Sequence, residues 1–249
     1  DFSSRFLREA HIAANLNHPN IVQVYDVNSY DNLHYIAMEY LDGGDLQKRL
    51  RYPITREKLI RLVADVSAAL DFAHDRGYIH HDIKPTNILF RRSDEALVSD
   101  FSIARDISSV TRLTQVGTVM GSPNYMSPEQ AGGKSPDGST DFYSLTAIVF
   151  ELLTGRVPYE GDSSLSIAIK HITEPVPTLP QGLHAVQAFI DKGMAKEPAN
   201  RFRSGAEMVS MLSGVLGQLT AQEMSRSNTF TQLLVNRDEK ATVVAAPRA

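Results

Sequence analysis

One apolar stripe, over residues 55–74, constrains the fold of this chain more than any other feature of its sequence. Its leucine, valine and alanine side chains recur at intervals of three and four residues. That spacing predicts an amphipathic helix with one face buried against a partner. Gly77 follows, and a glycine just beyond such a pattern is typical of a helix end. Similar patterns predict further helices at 141–153, 164–171, 183–194 and 206–219.

Strand patterns are concentrated in the first quarter of the chain. Two apolar runs, at 21–27 and 34–41, flank a polar connector at 28–32, which predicts an antiparallel hairpin. Shorter patterns predict a helix at 4–16, a helix at 45–51, and strands at 88–91 and 96–99. The sequence therefore predicts an α+β protein in which a small sheet-bearing part packs against a larger, mainly helical part.

Composition places the chain among globular domains and excludes several functions. Of its 249 residues, 42% are hydrophobic and 22% are charged, which argues against a mainly disordered chain. The net charge of -4 leaves no basic footprint for nucleic acid, and the absence of cysteine excludes disulfides and thiolate chemistry. The most apolar run, 142–150, is far shorter than the roughly 20 residues that a bilayer requires. We expect no nucleic-acid partner and no membrane span in this chain.

A group of polar residues follows the long predicted helix. Asp82, Lys84 and Asn87 lie within six residues of one another, and Asp100 follows the second short strand pattern. A carboxylate, an ammonium and an amide placed in this way can meet around one anionic ligand. Carboxylate and amide oxygens also suit Mg²⁺, which proteins usually share with phosphate groups. The sequence therefore predicts a site for a phosphorylated ligand and a magnesium ion.

The same residues form motifs that resemble a known family. Residues 80–87, His-His-Asp-Ile-Lys-Pro-Thr-Asn, resemble the catalytic loop of eukaryotic-type protein kinases, and residues 100–102 resemble their Asp-Phe-Gly motif. Residues 127–129, Ser-Pro-Glu, resemble the Ala-Pro-Glu that ends the activation segment. The segment from Asp141 is similar to the start of the central buried helix. The resemblance extends over about residues 4–217.

This resemblance implies a fold and a division of the chain. The fold is protein-kinase-like, with a truncated small lobe, consisting of the C-helix and a β hairpin, and a mainly α-helical large lobe. Residues 1–41 would be the remainder of the small lobe and the hinge, residues 42–217 the large lobe, and residues 218–249 a tail or linker. In the family a late arginine, here Arg201, pairs with the glutamate at position 129.

The resemblance assigns Asp82, Lys84 and Asn87 to catalysis. Asp82 would orient the substrate hydroxyl and accept its proton, and Lys84 would offset charge on the transferred γ-phosphoryl group of ATP. Asn87 and Asp100 would hold Mg²⁺. Phosphoryl transfer depends mainly on positioning and on charge stabilisation, so these residue types suit the reaction.

The resemblance also implies an adenine nucleotide site. Met38 matches the gatekeeper position, and residues 39–41 match the hinge, which contacts adenine through backbone groups. The complete set of implied nucleotide contacts is Glu9, Met38, Glu39, Leu41, Asp45, Lys84 and Leu89. Two simpler interpretations stay open, because Met38 is apolar on a strand and would be a core residue in any fold, and Asp45 could simply cap a helix.

The substrate class implied is protein serine and threonine. The Lys-Pro-Thr-Asn sequence and the segment before Ser-Pro-Glu resemble the serine/threonine branch. Residues 127–130, Ser-Pro-Glu-Gln, and the compact spacing resemble the bacterial members of the family. Ser122 would bridge Asp82 and Lys84, and Thr114 or Thr118 would be autophosphorylated. The alternative for that segment is a polar loop without regulation. We expect a cytoplasmic location, with the parent protein either anchored in a membrane beyond the tail or ending there.

The sequence departs from the family pattern at three places. His81 replaces an arginine, so the usual cation for a loop phosphate is absent, and Ser102 replaces a glycine that has free access to positive φ. Nothing before Glu9 supplies a glycine-rich loop or the strand lysine, which we interpret as truncation, because Asp1 is not a natural start. The sequence therefore predicts an ATP- and Mg²⁺-dependent protein kinase, and the alternative is a catalytically inactive kinase-like binding or scaffold module.

Overall fold

The computed structural model describes residues 16–30, 33–52, 54–101 and 123–219, and the main elements of this part of the chain are two antiparallel hairpins and seven α-helices. The first hairpin joins β1 (Val24–Tyr30) to β2 (Leu33–Met38), and the second joins β3 (Ile88–Phe90) to β4 (Ala96–Val98). The helices are α1 (Leu46–Arg49), α2 (Arg56–His74), α3 (Pro128–Ala131), α4 (Gly138–Thr154), α5 (Ser164–Thr173), α6 (Gln187–Gly193) and α7 (Gly205–Gln218). The predicted α+β class is confirmed.

The core is formed by α2, α4 and α7. Helix α2 packs against α7, β4 and α4. The residues of its predicted stripe are all buried, and they are Leu59, Leu62, Val63, Val66, Leu70 and Ala73. Helix α4 is buried along almost its whole length, which explains why its sequence is apolar on all sides. Both helices begin at side-chain caps, because Thr55 accepts a hydrogen bond from the amide of Lys58, and Asp137 accepts one from the amide of Ser139.

The first predicted strand was placed wrongly at both ends. The hairpin strand begins at Val24, because Ile21 and Val22 pair with β4 instead; the amide of Val22 donates to the carbonyl of Val98 over 2.9 Å. At the other end, residues 28–30 belong to β1 and not to the connector, so the turn between the strands is shorter than predicted. The polar residues of the connector are tolerated in β1 because that end of the strand is exposed.

Three helix boundaries also differ from the prediction. Helix α4 begins at Gly138, three residues before the predicted start, where Asp137 provides the cap. The helix predicted at 183–194 is divided into a 3-10 turn at Gln181–Val186 and the α-helix α6, and the predicted helix at 45–51 is reduced to α1. The short helix α3 was not predicted, although Ser127 and Gln130 form a capping box at its start.

Several sequence predictions lie outside the described residues. They are the helix at 4–16 with Glu9, the segment that contains Ser102, Thr114, Thr118 and Ser122, and the tail beyond residue 219. Within the described part of the chain, no helix has the length and apolar character needed to cross a membrane.

Candidate active site

The loop after α2 is held by one buried carboxylate, that of Asp141 on α4. Its Oδ2 accepts hydrogen bonds from the amide of His80 and from His74 Nε2, both at 2.8 Å, and its Oδ1 accepts one from the amide of His81 at 2.9 Å. Burial opposes the charge on Asp141, but the hydrogen bond and charge of His74, with the contributions of His80, outweigh it and lower the pKa of this carboxyl. A buried carboxylate therefore fixes the backbone of the loop.

His80, which is bound to Asp141 through its amide, in turn fixes the backbone of Asp82. The His80 ring is buried, and its Nδ1 accepts a hydrogen bond from the amide of Asp82 at 3.2 Å. The proton is therefore on Nε2, which donates to the carbonyl of Ser99 at 2.8 Å. The ring also meets Phe101 edge to face, with ring centroids 4.7 Å apart. His80 thus connects the loop to the residues just before Asp100.

The structure brings Asp82, Lys84 and Asn87 together. Lys84 Nζ donates to Asp82 Oδ2 at 2.7 Å, and Asn87 Nδ2 donates to the carbonyl oxygen of Asp82 at 2.9 Å. The side chains of Asp82 and Lys84 are 30% and 25% exposed, so each is mostly buried but remains in part accessible to solvent. A carboxylate and an ammonium held in this way can act on the same hydroxyl and phosphoryl group.

Asp100 is joined to this group through Ser99. The amide of Ser99 donates to the carbonyl of Asn87 at 2.9 Å, and Ser99 Oγ lies 3.1 Å from Asp100 Oδ2. Asp100 has a positive φ of 59°, and His81 has one of 66°. Left-handed conformations are strained for residues other than glycine and are concentrated at functional sites. The two strained positions flank the candidate catalytic residues.

The oxygen atoms at this site suit Mg²⁺. Asp100 supplies an exposed carboxylate and Asn87 an amide oxygen, and both are hard ligands of the kind that magnesium prefers. In the described parts of the chain, no cluster of three or more histidine, aspartate and glutamate side chains could hold a metal. The oxygens of Asp100 and Asn87 suit a magnesium ion whose remaining ligands would come from phosphate and water, as is common for this ion.

The segment after β2 has backbone groups that are open for a ligand. The amide of Glu39 donates to the carbonyl of Gln23 at 2.8 Å; within the described residues, the Glu39 carbonyl and the Leu41 amide make no backbone hydrogen bond. Met38 is 39% exposed, so it is not the core residue of the simpler interpretation. The Leu41 amide can therefore donate a hydrogen bond to a planar heterocycle, and the Glu39 carbonyl can accept one from it.

Asp45 and Leu89 lie opposite each other across an isolated β-bridge. Beside this bridge the two backbones are in close contact. The amide of Gly43 donates to the Phe90 carbonyl at 2.9 Å, and there is no room for a side chain, since a Cβ atom on Gly43 would lie 2.4 Å from that oxygen. The Asp45 side chain accepts a hydrogen bond from the amide of Lys48 at 2.8 Å and caps α1. The helix-cap interpretation is thus confirmed.

The segment around α3 is tied to the loop and to the core. Gln130 Nε2 donates to the carbonyl of His81 at 2.7 Å. Glu129 accepts two hydrogen bonds from the fully buried Arg201, both at 2.7 Å, which confirms the predicted pairing. Burial opposes the charge on Glu129, but Arg201 outweighs it and lowers the pKa of this carboxyl.

Sequence reasoning missed several residues that support the site. Gln130 contacts the loop at His81, 49 residues away. His74 contacts Asp141, 67 residues away, and the only signal for His74 was a polar residue at the end of an apolar stripe. Arg91, which binds Glu39, was also missed. Contacts of this kind depend on tertiary structure and leave no periodic pattern in the sequence.

Comparison with known proteins shows the family to which the chain belongs. The protein kinase domain family matches residues 1–212, so the chain belongs to that family. It is 44% identical over 218 residues to "Serine/threonine-protein kinase PknB" of Mycobacterium tuberculosis (strain ATCC 25618 / H37Rv), which covers 83% of this chain and 35% of the relative. It is 36% identical over 248 residues to "Serine/threonine-protein kinase PrkC" of Bacillus subtilis (strain 168), which covers 97% of this chain and 37% of the relative. The chain thus spans little more than a third of the length of these bacterial relatives.

Proposed function

We propose that this chain carries out the catalytic step of a protein serine/threonine kinase, which transfers the γ-phosphoryl group of ATP to serine and threonine hydroxyls. One observation carries the proposal. The Asp82 carboxylate lies 2.7 Å from the Lys84 ammonium, on a loop that the buried Asp141 holds by two backbone amides. The names of the bacterial relatives support the choice of serine and threonine.

The proposed roles are those that the family resemblance implies, and the positions of the side chains support them. Asp82 orients the attacking hydroxyl and accepts its proton at the partly exposed carboxylate. Lys84 offsets the charge on the transferred phosphoryl group. Asn87 keeps Asp82 in place through its hydrogen bond to the Asp82 carbonyl. Because the transition state is loose, this positioning and charge stabilisation supply most of the catalysis.

The proposed cofactors are ATP and Mg²⁺. Asn87 and Asp100 would hold the ion, which when bound would neutralise charge on the phosphate oxygens. The backbone of Glu39 and Leu41 would contact adenine beside Met38, with Asp45 and Leu89 on the ribose side. Lys84 would reach the γ-phosphate, and Glu9, which is outside the described residues, completes the proposed set.

The proposed partners are proteins with serine or threonine hydroxyls, and autophosphorylation would occur at Thr114 or Thr118. A cytoplasmic location is part of the proposal because the reaction consumes ATP. The division into residues 1–41, 42–217 and 218–249 also stays a prediction.

The second candidate is a kinase-like binding module without catalysis. It is favoured by His81 and Ser102, which replace the arginine and the glycine of the family motifs. Only a kinase would form phosphorylated substrate protein, so this product distinguishes the two functions. The complete natural chain would be incubated with Mg²⁺, γ-labelled ATP and myelin basic protein as a general substrate, with EDTA as the control.

We expect label on serine and threonine of the substrate, and none when EDTA removes the metal. A binding module would instead hold the nucleotide without transferring label. Label on tyrosine alone would contradict the proposed substrate class.

A further inference from the structure

Arg91, the first residue after β3, binds three separate segments through one guanidinium group. Its Nε and Nη2 donate to Glu39 Oε1 at 3.0 and 2.9 Å, and Nη2 also lies 3.1 Å from Oε2. Its Nη1 donates to the carbonyl of Pro19 at 3.1 Å and lies 3.5 Å from Glu95 Oε2. Two parallel donors on one carboxylate are a strong and directional form of ion pair.

The turn at Pro19 is hydrogen-bonded to the β3–β4 hairpin, which lies between the two proposed magnesium ligands in the sequence. The next residue, Asn20, accepts a hydrogen bond from the amide of Val98 at 2.8 Å and donates from its side chain to the carbonyl of Ala96 at 3.0 Å. Both contacts are on β4, and the β3–β4 hairpin begins just after Asn87 and ends two residues before Asp100. Arg91 therefore joins the segment at Glu39 to the hairpin that separates the two proposed ligands of Mg²⁺.

We propose that Arg91 is a positioning residue for the adenine nucleotide, acting through Glu39 on the backbone at 39–41. This proposal rests on the proposed function. The carbonyl of Glu39 and the amide of Leu41 are the groups available to adenine. The backbone there is held by the hydrogen bond from the Glu39 amide to the Gln23 carbonyl, and Arg91 adds a second attachment through the Glu39 side chain. When Arg91 holds the Glu39 side chain, the distance between the adenine contacts at 39–41 and the magnesium ligands stays fixed.

The degree of burial distinguishes this pair from an ordinary surface pair. The side chains of Arg91 and Glu39 are 33% and 21% exposed, whereas those of the neighbouring pair, Arg92 and Asp42, are 89% and 40% exposed. Exposed pairs are screened by water and contribute little. The Arg92–Asp42 pair thus offers a matched control one residue away, outside the proposed nucleotide contacts.

The chemistry of arginine gives a second test. A lysine at position 91 would keep the positive charge but lose the planar fork that binds both oxygens of Glu39 and the carbonyl of Pro19. A role that depends only on charge would survive Arg91→Lys. A positioning role would be lost in part.

The experiment measures steady-state phosphoryl transfer by the complete natural chain and by the variants Arg91→Met, Arg91→Lys, Glu39→Gln, Arg91→Met with Glu39→Gln, and Arg92→Met. Myelin basic protein is the substrate, and thermal unfolding is recorded for each variant. We expect Arg91→Met to raise KM for ATP by about three- to tenfold, the range for the net loss of one typical hydrogen bond, with kcat and KM for the protein substrate within about twofold of wild type.

The other variants define the role. Arg91→Lys should fall between wild type and Arg91→Met, the double variant should be no worse than the worse single variant, and Arg92→Met should match wild type. The proposal is overturned if Arg91→Met leaves KM for ATP unchanged, if Arg92→Met raises it equally, or if Arg91→Met only lowers the unfolding temperature. If the wild-type chain transfers no phosphoryl group, the proposed function itself fails; an active wild type with an unchanged Arg91→Met overturns only the role of Arg91.

Discussion

The guanidinium of Arg201 and the carboxylate of Glu129 form a buried, two-point ion pair at 2.7 Å. Arg201 has two further acceptors, the carbonyls of Ala195 and Lys196 at 2.7 and 2.9 Å, and Glu129 has a second donor in Thr140 at 2.6 Å. Every charged group of the pair is therefore satisfied. The pair fastens helix α3, which contacts the loop of Asp82, to the turn before α7.

Replacement of Arg201 by methionine should destabilise the protein strongly. The change leaves the buried Glu129 carboxylate without its cation, and loss of one partner of a buried pair costs about 3–5 kcal/mol. The free energy of unfolding in urea measures this cost. Arg203→Met, an exposed control two residues away, should change it by less than about 0.5 kcal/mol. Equal losses in the two variants would contradict the structural role of the pair.

His171 should make the protein sensitive to acid. Burial, with a smaller contribution from the charge of Lys196, lowers the pKa of this ring to about 3 from 6.5. Between these values the unfolded chain binds a proton that the folded chain excludes, so stability falls as pH decreases below 6.5. The slope from this group approaches about 1.4 kcal/mol per pH unit and ends near pH 3.

Urea unfolding between pH 7 and pH 4 tests this pH dependence in the wild type and in His171→Gln. The variant should lose that part of the slope, whereas His184→Gln, at an exposed histidine, should keep it. Identical slopes in the wild type and His171→Gln would show that His171 does not titrate in this way.

Gly138 should be required for the anchoring of the catalytic loop. A Cβ atom at this position would lie 2.9 Å from His74 Nδ1, so Gly138→Ala pushes the ring away from Asp141. We expect a loss of about 1–3 kcal/mol in stability and a lower kcat. Gly214→Ala is the control, because its Cβ meets nothing within 4 Å and alanine favours the helix; it should stabilise the protein by up to about 1 kcal/mol. A kcat for Gly138→Ala equal to that of wild type would contradict the role of His74.

Asp100 should control the dependence on magnesium. Asp100→Asn removes the exposed carboxylate of the proposed site, so the Mg²⁺ concentration that gives half-maximal activity should rise at least about tenfold. Asp162→Asn, an exposed aspartate outside the site, should leave this concentration unchanged. A magnesium titration of the two variants measures the difference. The assignment is wrong if Asp100→Asn shows the wild-type titration curve.

Local patterns were enough to predict the main elements. The stripe at 55–74 became α2 with nearly the same bounds, because apolar periodicity and burial describe the same face. The group Asp82, Lys84 and Asn87 was also predictable, since its members lie within one short loop. The pairing partner of a strand cannot be deduced from local sequence. Ile21 and Val22 were assigned to the hairpin, but they pair with β4, which lies more than 70 residues later.

Contacts between distant residues could not be deduced from local patterns, and the pair of Glu129 and Arg201 was expected only through the family resemblance. Glu39 and Arg91 are 52 positions apart, and neither residue type is unusual in its local sequence. The same holds for His74 and Asp141, where a glycine one turn earlier on α4 makes room for the ring. Such pairs depend on how elements approach one another.

The central claim is that Asp82 acts on the substrate hydroxyl, and Asp82→Asn tests it most directly. The label transferred from γ-labelled ATP to myelin basic protein would be measured for the complete natural chain, for Asp82→Asn, and for Asp75→Asn, an exposed aspartate at the end of α2. We predict that Asp82→Asn lowers kcat by about 100-fold or more, as expected for loss of a general base, while Asp75→Asn keeps wild-type activity. Equal incorporation by the wild type and Asp82→Asn would contradict the account.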